Sequence, residues 1–424
     1  MKKILLVAVL LSFTVLSNAQ LDPLNRAKGK AEKKVNDKIN KKTDDTVDSS
    51  PGKKQKVPEE KNKPNETTTG GQSNSDTTPS STVSIKAYSK YDFVPGEKVI
   101  GFEDFSTGNI GDFPAGWNTT GAAEIVTLEG KPGRWLMLTK PGVFVPEFTE
   151  TYPEDFTLEL DVLHGLPFAG ASFKIVLVQL ENVSQPQNWT LGPNNVAFEF
   201  YTPSSKEPPI NGSSSFSNRK NSTSDAANQV GSDLFTDQTS PAHISIWRQK
   251  ERIRLYANQE KIWDIPKGIS KDAKLNAIVI YVLYADATVP LYFGNFRLAV
   301  GAPDTRNKFL TQNKWVTHGI LFDVNSANIK PESYGTLKEM ANVLKEYADM
   351  KIKIVGHTDG DGNDASNLDL SKRRAASVKA TLAKEFGIEE SRMQTDGKGE
   401  GEPIDKNDKP AGKANNRRVE FIKL

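Results

Sequence analysis

No aromatic residue occurs between Gln20 and Ser80, and the only apolar ones there are Leu21, Leu24, Ala27, Ala31, Val35, Ile39, Val47 and Val57. A segment of that composition cannot bury enough surface to offset its ordering entropy. Any packed core must come from the rest of the 424 residues. Within the arm, Ala27, Ala31, Val35 and Ile39 recur four apart among lysines, the pattern of a weak amphipathic helix suited to a membrane surface or a partner. Residues 49–81 are rich in Pro, Ser, Thr, Asn and Gly and read as a flexible tether. Ahead of the arm, Met1-Lys2-Lys3, an apolar run over 4–16 and Ser17-Asn18-Ala19 have the order of a cleaved secretory signal. The apolar run falls short of the roughly 20 residues a membrane span needs.

Composition changes near Tyr88, and from Lys98 onward short apolar runs alternate with Gly, Pro and Asn. Phe156-Thr157-Leu158-Glu159-Leu160-Asp161-Val162 alternates as a half-buried strand does, with Phe156, Leu158, Leu160 and Val162 facing a core and Glu159 and Asp161 facing solvent. Similar runs occupy 134–138, 173–180, 196–201, 244–248, 252–256, 277–284 and 291–298. Many short strands separated by turn signals predict a β-sandwich. A membrane barrel fits less well, because the strands are uneven in length and several outward positions are charged. Residues 202–240 are rich in Ser and Asn and read as a disordered insertion or a binding loop.

The segment from Glu251 to Asp264 reads as a hairpin turning at Asn258-Gln259, and this pair resembles strands of laminin-G/concanavalin-like sandwiches. The resemblance, over about 99–300, implies architecture only. Glu159-Leu160-Asp161-Val162-Leu163-His164 resembles the Glu-x-Asp-x-x-Glu signature of laminarinase-like glycoside hydrolases, but His164 stands where the second carboxylate is needed. A glycan-binding surface fits that strand better than catalysis. Trp135, Trp247 and Trp263 could stack sugars, with core packing the stronger expectation.

A third pattern begins near Phe309. Residues 319–323 read as a strand start, Pro331 opens a helix with Leu337, Met340, Ala341, Leu344 and Tyr347 on its buried face, and 351–356 form a strand. A second helix runs from about Asn367 to Phe386 and stops at Gly387. Strands near 393–397 and 418–422 complete a βαβαββ order, which suits helices packed on one face of a mixed sheet. The whole chain thus reads as a leader (1–19), an arm and tether (20–87), an all-β sandwich (88–302) and an α+β domain (303–424).

The loop His357-Thr358-Asp359-Gly360-Asp361-Gly362-Asn363-Asp364 resembles a calcium loop, but Asp364 and Leu370 stand where that pattern requires Gly and Glu. No metal or cofactor is expected. At 100° per residue, Leu370, Ala375, Val378, Leu382 and Phe386 define one helical arc. Asn367, Ser371 and Arg374 fall on it, and Arg373 projects away. Arg374 is therefore the arginine held near the sheet. A guanidinium there needs a carboxylate partner. Spacing leaves open whether Asp359 clamps it internally or both meet a ligand.

Cysteine is absent, which excludes disulfides, thiolate metal sites, cysteine nucleophiles and lipid attachment to an N-terminal cysteine. Lys2 and Lys3 account for the formal charge of +2, so the remainder is neutral and no nucleic-acid partner is expected. No catalytic constellation emerges, so no enzyme is expected.

Phe322-Asp323, Ser326 and Ile329-Lys330-Pro331, then Gly356-His357-Thr358-Asp359, then Asn367 with Leu370-Ser371-Lys372-Arg373-Arg374-Ala375 and Val378, follow one another in order. Gly397-Lys398-Gly399, Pro403, Asn407 and Gly412-Lys413-Ala414-Asn415-Asn416-Arg417-Arg418-Val419-Glu420 complete the series. Over about 316–424 the chain is similar to the C-terminal domain of the outer-membrane protein A (OmpA-like) family. That resemblance implies non-covalent peptidoglycan binding, with Asp359 and Arg374 gripping the diaminopimelate side chain of the stem peptide. Thr358, Asn367 and Leu370 would line the same pocket, and Arg417 would approach it. Lys413 stands where the family usually has Arg, and Ser366 where Tyr is common. An exported envelope protein in the periplasm or at the outer membrane follows, anchored to the wall, with outer-membrane proteins or glycans as partners of the sandwich. The alternative is a secreted glycan-binding or adhesion protein whose sandwich is the functional module.

Overall fold

The computed structural model describes residues 91–148, 151–164, 172–182, 185–202, 212–231, 240–283, 290–301 and 305–424. The expected leader, arm and tether lie outside them, as do parts of the Ser/Asn-rich stretch. The described residues belong to one compact unit.

The first strands are β1 (Lys98–Glu103), β2 (Trp117–Thr119), β3 (Ala122–Val126), β4 (Trp135–Lys140) and β5 (Gly142–Pro146). There follow β6 (Asp155–His164), β7 (Ser172–Val178), β8 (Asn195–Tyr201), β9 (Ser213–Lys220) and β10 (Thr223–Gly231). Then come β11 (Ala242–Gln249), β12 (Arg252–Ala257), β13 (Glu260–Ile265), β14 (Ala277–Val282) and β15 (Leu291–Val300). They form two antiparallel sheets, one ordered β13-β12-β11-β6-β15-β4-β3 with β1 also on β15, the other β10-β9-β8-β7-β14-β5-β2. Leu158, Leu160, Ile244, Ile246 and Phe293 of the first sheet share one core with Ile175, Leu177, Phe198, Ile278 and Ile280 of the second. Two sheets closed over a common apolar layer make a sandwich, not a barrel. Trp135, Trp247 and Trp263 are all buried and offer no stacking surface.

Two expectations fail here. Within the Ser/Asn-rich stretch, β9 and β10 pair as a hairpin that extends the second sheet. Their polar sequence reflects position, since β10 is an edge strand and almost wholly exposed. The second failure is the outer face of β6, where Glu159 is buried rather than solvated. Period-2 alternation does assign Glu159 and Asp161 to the face opposite the core. That face is covered. Residues 91–96 lie across it, with the Gly96 N–H bonded to Thr157 Oγ1 at 2.9 Å and the Phe93 ring 6.1 Å from Trp247 and 5.5 Å from Tyr256. Beneath them Arg297 donates to Glu159 at 2.6 Å, and His243 Nδ1 lies 2.7 Å from Asp161.

The remaining elements are α1 (Thr305–Gln312), β16 (Lys314–Thr317), α2 (Tyr334–Glu346), β17 (Ile352–His357), α3 (Asp364–Phe386), β18 (Met393–Gly399), α4 (Pro410–Asn416) and β19 (Val419–Lys423). The sheet order is β16-β19-β17-β18, with β17 and β18 parallel and the other pairs antiparallel. This is the βαβαββ order with α1 ahead of it and the short α4 inserted before the last strand. The first strand is four residues at 314–317, before the expected 319–323, where only Phe322 and Ile329 form an isolated bridge. α2 buries Leu337, Met340, Ala341, Val343 and Leu344, while Tyr347 is half-buried at its end. α3 starts at an Asn363 side chain that accepts from the Ala365 and Ser366 N–H groups. It stops at Gly387, whose φ of 70° only glycine adopts cheaply.

The sandwich and the α/β layer meet through the 91–96 segment and β1. The Asn415 side chain accepts from the Val99 N–H at 2.9 Å and donates to the Val99 carbonyl at 3.0 Å, bonding the strand backbone as a neighbouring strand would. At the start of α2, a Cβ added to Gly335 would lie 2.0 Å from the Phe93 carbonyl oxygen. Gly335→Ala is therefore expected to cost about 1–3 kcal/mol by forcing that contact apart. Urea unfolding measures it, and an unchanged midpoint would mean the two layers are not in tight contact there.

Candidate functional site

The site is built where β17 ends against the N-terminal half of α3. Gly356 lets the two approach closely, since a Cβ there would lie 2.3 Å from the Ser371 carbonyl oxygen. The next residues leave the sheet still tied to it, with the His357 N–H bonded to the Arg418 carbonyl at 3.0 Å and the Thr358 N–H to that of Gly399 at 2.9 Å. Asp359 follows, half-buried, at the mouth of the loop.

Asn367 fastens this loop. Its side-chain amide donates to the Asp359 carbonyl at 3.4 Å, the Asp361 carbonyl at 3.0 Å and Glu400 Oε2 at 2.5 Å. Asp361 also receives Lys413 Nζ at 2.7 Å, so the lysine at the departed family position holds the loop from the other side. Thr358 is buried, and its hydroxyl has no hydrogen-bond partner among the described residues. Ser366 is exposed.

On α3 the buried stripe is Asn367, Ser371, Ala375, Val378, Leu382 and Phe386. Leu370 and Arg374 flank it, both half-buried, so Leu370 borders the arc instead of lying within it. Arg373 points outward and pairs with Asp369 at 2.7 Å. Arg374 is held by two contacts that sequence spacing did not indicate. Its Nε donates to the Ser326 carbonyl at 3.0 Å, and its guanidinium carbon lies 4.9 Å from the centre of the Phe322 ring. Burial, and then the neighbouring Arg417 charge, pull the Arg374 guanidinium down to about 10. It remains charged at neutral pH. Among the described residues it forms no ion pair.

Asp359 is paired, but with a different arginine. Arg417 Nη1 donates to Asp359 Oδ2, and the Arg417 guanidinium lies 5.0 Å from the centre of the Phe102 ring. Of the two alternatives left open by the spacing, the internal Asp359–Arg374 clamp is not formed. The clamp on Asp359 exists, and Arg374 is not part of it. Two guanidiniums thus stand around one carboxylate, each laid over a phenyl ring. Arg417 arrives from the end of α4, the Asn-Asn-Arg-Arg segment in which Asn416 braces residues 404–407 and Arg418 pairs with Glu420 at 2.9 Å.

Chemically, such a site can take a zwitterion. A carboxylate accepts hydrogen bonds from an ammonium, and a guanidinium binds a carboxylate through two parallel N–H groups. Asp361 is bound to Lys413, and His357 lies 3.6 Å from Glu420.

Residues 321–417 match the OmpA family. That stretch is an OmpA family domain. It contains the Asp359 loop, α3 and Arg417, whereas Phe102 lies outside it. The chain is 40% identical over 101 residues to outer membrane porin F of Pseudomonas aeruginosa, covering 24% of this chain and 29% of that protein. It is 43% identical over 100 residues to outer membrane protein A of Bordetella avium, covering 24% of this chain and 51% of the relative. The chain therefore spans about half or less of the length of these relatives. A crystal structure of the peptidoglycan-associated lipoprotein from Burkholderia pseudomallei aligns over 25% of this chain and 88% of that one, with 28% identity and a TM-score of 0.24.

Proposed function

We propose that this is an exported cell-envelope protein that holds peptidoglycan non-covalently through its OmpA family domain, by recognising diaminopimelate in the stem peptide. The free end of diaminopimelate carries an ammonium and a carboxylate on one carbon. In this reading Asp359 receives the ammonium and Arg374 the carboxylate, while Thr358, Asn367 and Leu370 form the wall and Arg417 stands beside it. One observation carries it. Arg374 is desolvated, fixed by Ser326 and Phe322, and free of any ion pair among the described residues, next to a carboxylate. A guanidinium placed at that cost is matched by an anion brought from outside. Two relatives named as outer-membrane proteins support an envelope location. The role is binding, not catalysis. The sandwich (88–302) is carried as the second module, facing outer-membrane proteins or glycans.

The test is co-sedimentation of the full chain with two kinds of purified sacculi, one with diaminopimelate at the third stem position and one with lysine. Lysine lacks the second carboxylate, so Arg374 would have no partner. Pelleting with the first and not the second is expected. Arg373→Ala should pellet as the parent does, because Arg373 points away from the site. Equal pelleting with both sacculi would remove diaminopimelate as the recognised group.

A further inference from the structure

The Arg417 guanidinium is held by two groups from different layers of the molecule. Asp359 belongs to the α/β layer. Phe102 belongs to β1 of the sandwich, more than two hundred residues before the start of the OmpA family match. The strand carrying Phe102 is fixed against α4 at two further places. The Asn415 amide bonds both backbone groups of Val99, and Val99, Ala299 and Ala414 form one apolar cluster against which Phe102 and Ala411 pack. The His318 Nε2–H donates to the Asn415 carbonyl at 2.9 Å, so the turn preceding Arg417 is held from a third side. Phe102 is thus not a side chain that happens to lie nearby. It is mounted on the same cluster that fixes the end of α4.

The charges around this point do not balance if the Proposed function is correct, and the present inference rests on that reading. Asp359 is the carboxylate that both the ligand ammonium and Arg417 would use. With the ammonium bound, Asp359 is shared between it and Arg417 while Arg374 is engaged by the ligand's first carboxylate, so one positive charge stays unmatched at Arg417. Arg417 cannot leave easily, because its flat face stays on Phe102. A half-buried guanidinium in that position favours a second anion from the same ligand.

We propose that the sandwich completes the wall-binding pocket: Phe102 is a positioning residue that holds Arg417 in place as a second carboxylate anchor, and the pocket selects stem peptides that carry a second free carboxylate beside the diaminopimelate zwitterion. A stem peptide ending at diaminopimelate has that group as its C-terminal carboxylate. Capping it as an amide removes the charge and leaves the zwitterion intact.

The experiment is isothermal titration of the full chain with two synthetic tripeptides ending in diaminopimelate, one with a free C-terminal carboxylate and one with a C-terminal amide. The parent protein should bind the acid about five- to tenfold more tightly than the amide. Phe102→Leu and Arg417→Gln should each bring the acid down to the amide's affinity, and the double substitution should go no further. Phe102→Tyr, which keeps the aromatic face, should retain the preference, which separates positioning from a general packing defect. Melting temperatures taken alongside show whether Phe102→Leu folds as the parent does. Equal binding of acid and amide by the parent, or a preference that survives Phe102→Leu, overturns the proposal. Asp359→Ala distinguishes the two levels. If it binds both peptides like the parent, the diaminopimelate reading itself falls. If it loses both while Phe102→Leu and Arg417→Gln change nothing, only the role of the sandwich falls.

Discussion

Asp359→Ala and Arg374→Ala should each lower the affinity for a diaminopimelate stem peptide by roughly 30- to 1000-fold, which corresponds to about 2–4 kcal/mol. The cost arises because each substitution leaves one charge of the ligand desolvated and unpaired. The two are not equivalent in the free protein. Removing the Arg374 side chain vacates its seat on the Ser326 carbonyl and Phe322 and touches no internal ion pair among the described residues. Removing the Asp359 carboxylate also deprives Arg417 of its partner. Arg374→Ala should therefore be the cleaner loss of binding. Arg374→Lys should recover only part of it, since an ammonium cannot make two parallel bonds to a carboxylate. Titration calorimetry with the tripeptide measures these changes, and affinities within twofold of the parent for both alanine variants would refute the site.

The second large effect concerns stability and lies on the outer face of β6. Glu159 is 2% exposed and receives Arg297 at 2.6 Å, with His243 beside it. Arg297→Met should cost about 3–5 kcal/mol, because Glu159 would remain buried without its main counter-charge. Adding Glu159→Leu should restore much of that loss, since an apolar pair of similar size avoids the desolvation penalty. The same cluster gives a pH signature. Burial disfavours the His243 imidazolium, but the hydrogen bond to Asp161 and the Glu159 carboxylate 3.6 Å away outweigh it and raise the pKa from 6.5 to about 10, with Glu332 adding in the same direction. A raised pKa contributes stability that is complete below pH 6.5 and is lost as pH rises through about 10. The urea midpoint should fall across that window, and His243→Gln should flatten the fall. An unchanged slope in the variant would place the titration elsewhere.

Local pattern made parts of this molecule legible. The order Thr358-Asp359, Asn367, Arg374 is compact in sequence, and 100° per residue is enough to turn Arg374 inward and Arg373 outward. Alternation in β6 likewise separated the core-facing residues from Glu159 and Asp161. Periodicity states which residues share a face, however, and not what lies over it. The buried charge cluster was misread as a solvated face for that reason, because its cover comes from residues 91–96. The partner of Asp359 was hidden in the same way. Arg417 is 58 residues away and Phe102 lies in another layer, so no spacing rule joins them. Polarity misled at β9 and β10, where Ser and Asn mark the edge of a sheet and not the absence of one.

The central claim, that Asp359 and Arg374 together grip the free end of diaminopimelate, is tested most directly by a crystal structure of the full chain with the diaminopimelate tripeptide. The predicted result has the ligand ammonium on the Asp359 carboxylate, the adjacent ligand carboxylate in the Arg374 guanidinium, and Arg417 turned from Asp359 towards the peptide's C-terminal carboxylate. A peptide bound elsewhere, with the Asp359–Arg417 pair intact and Arg374 untouched, would contradict it.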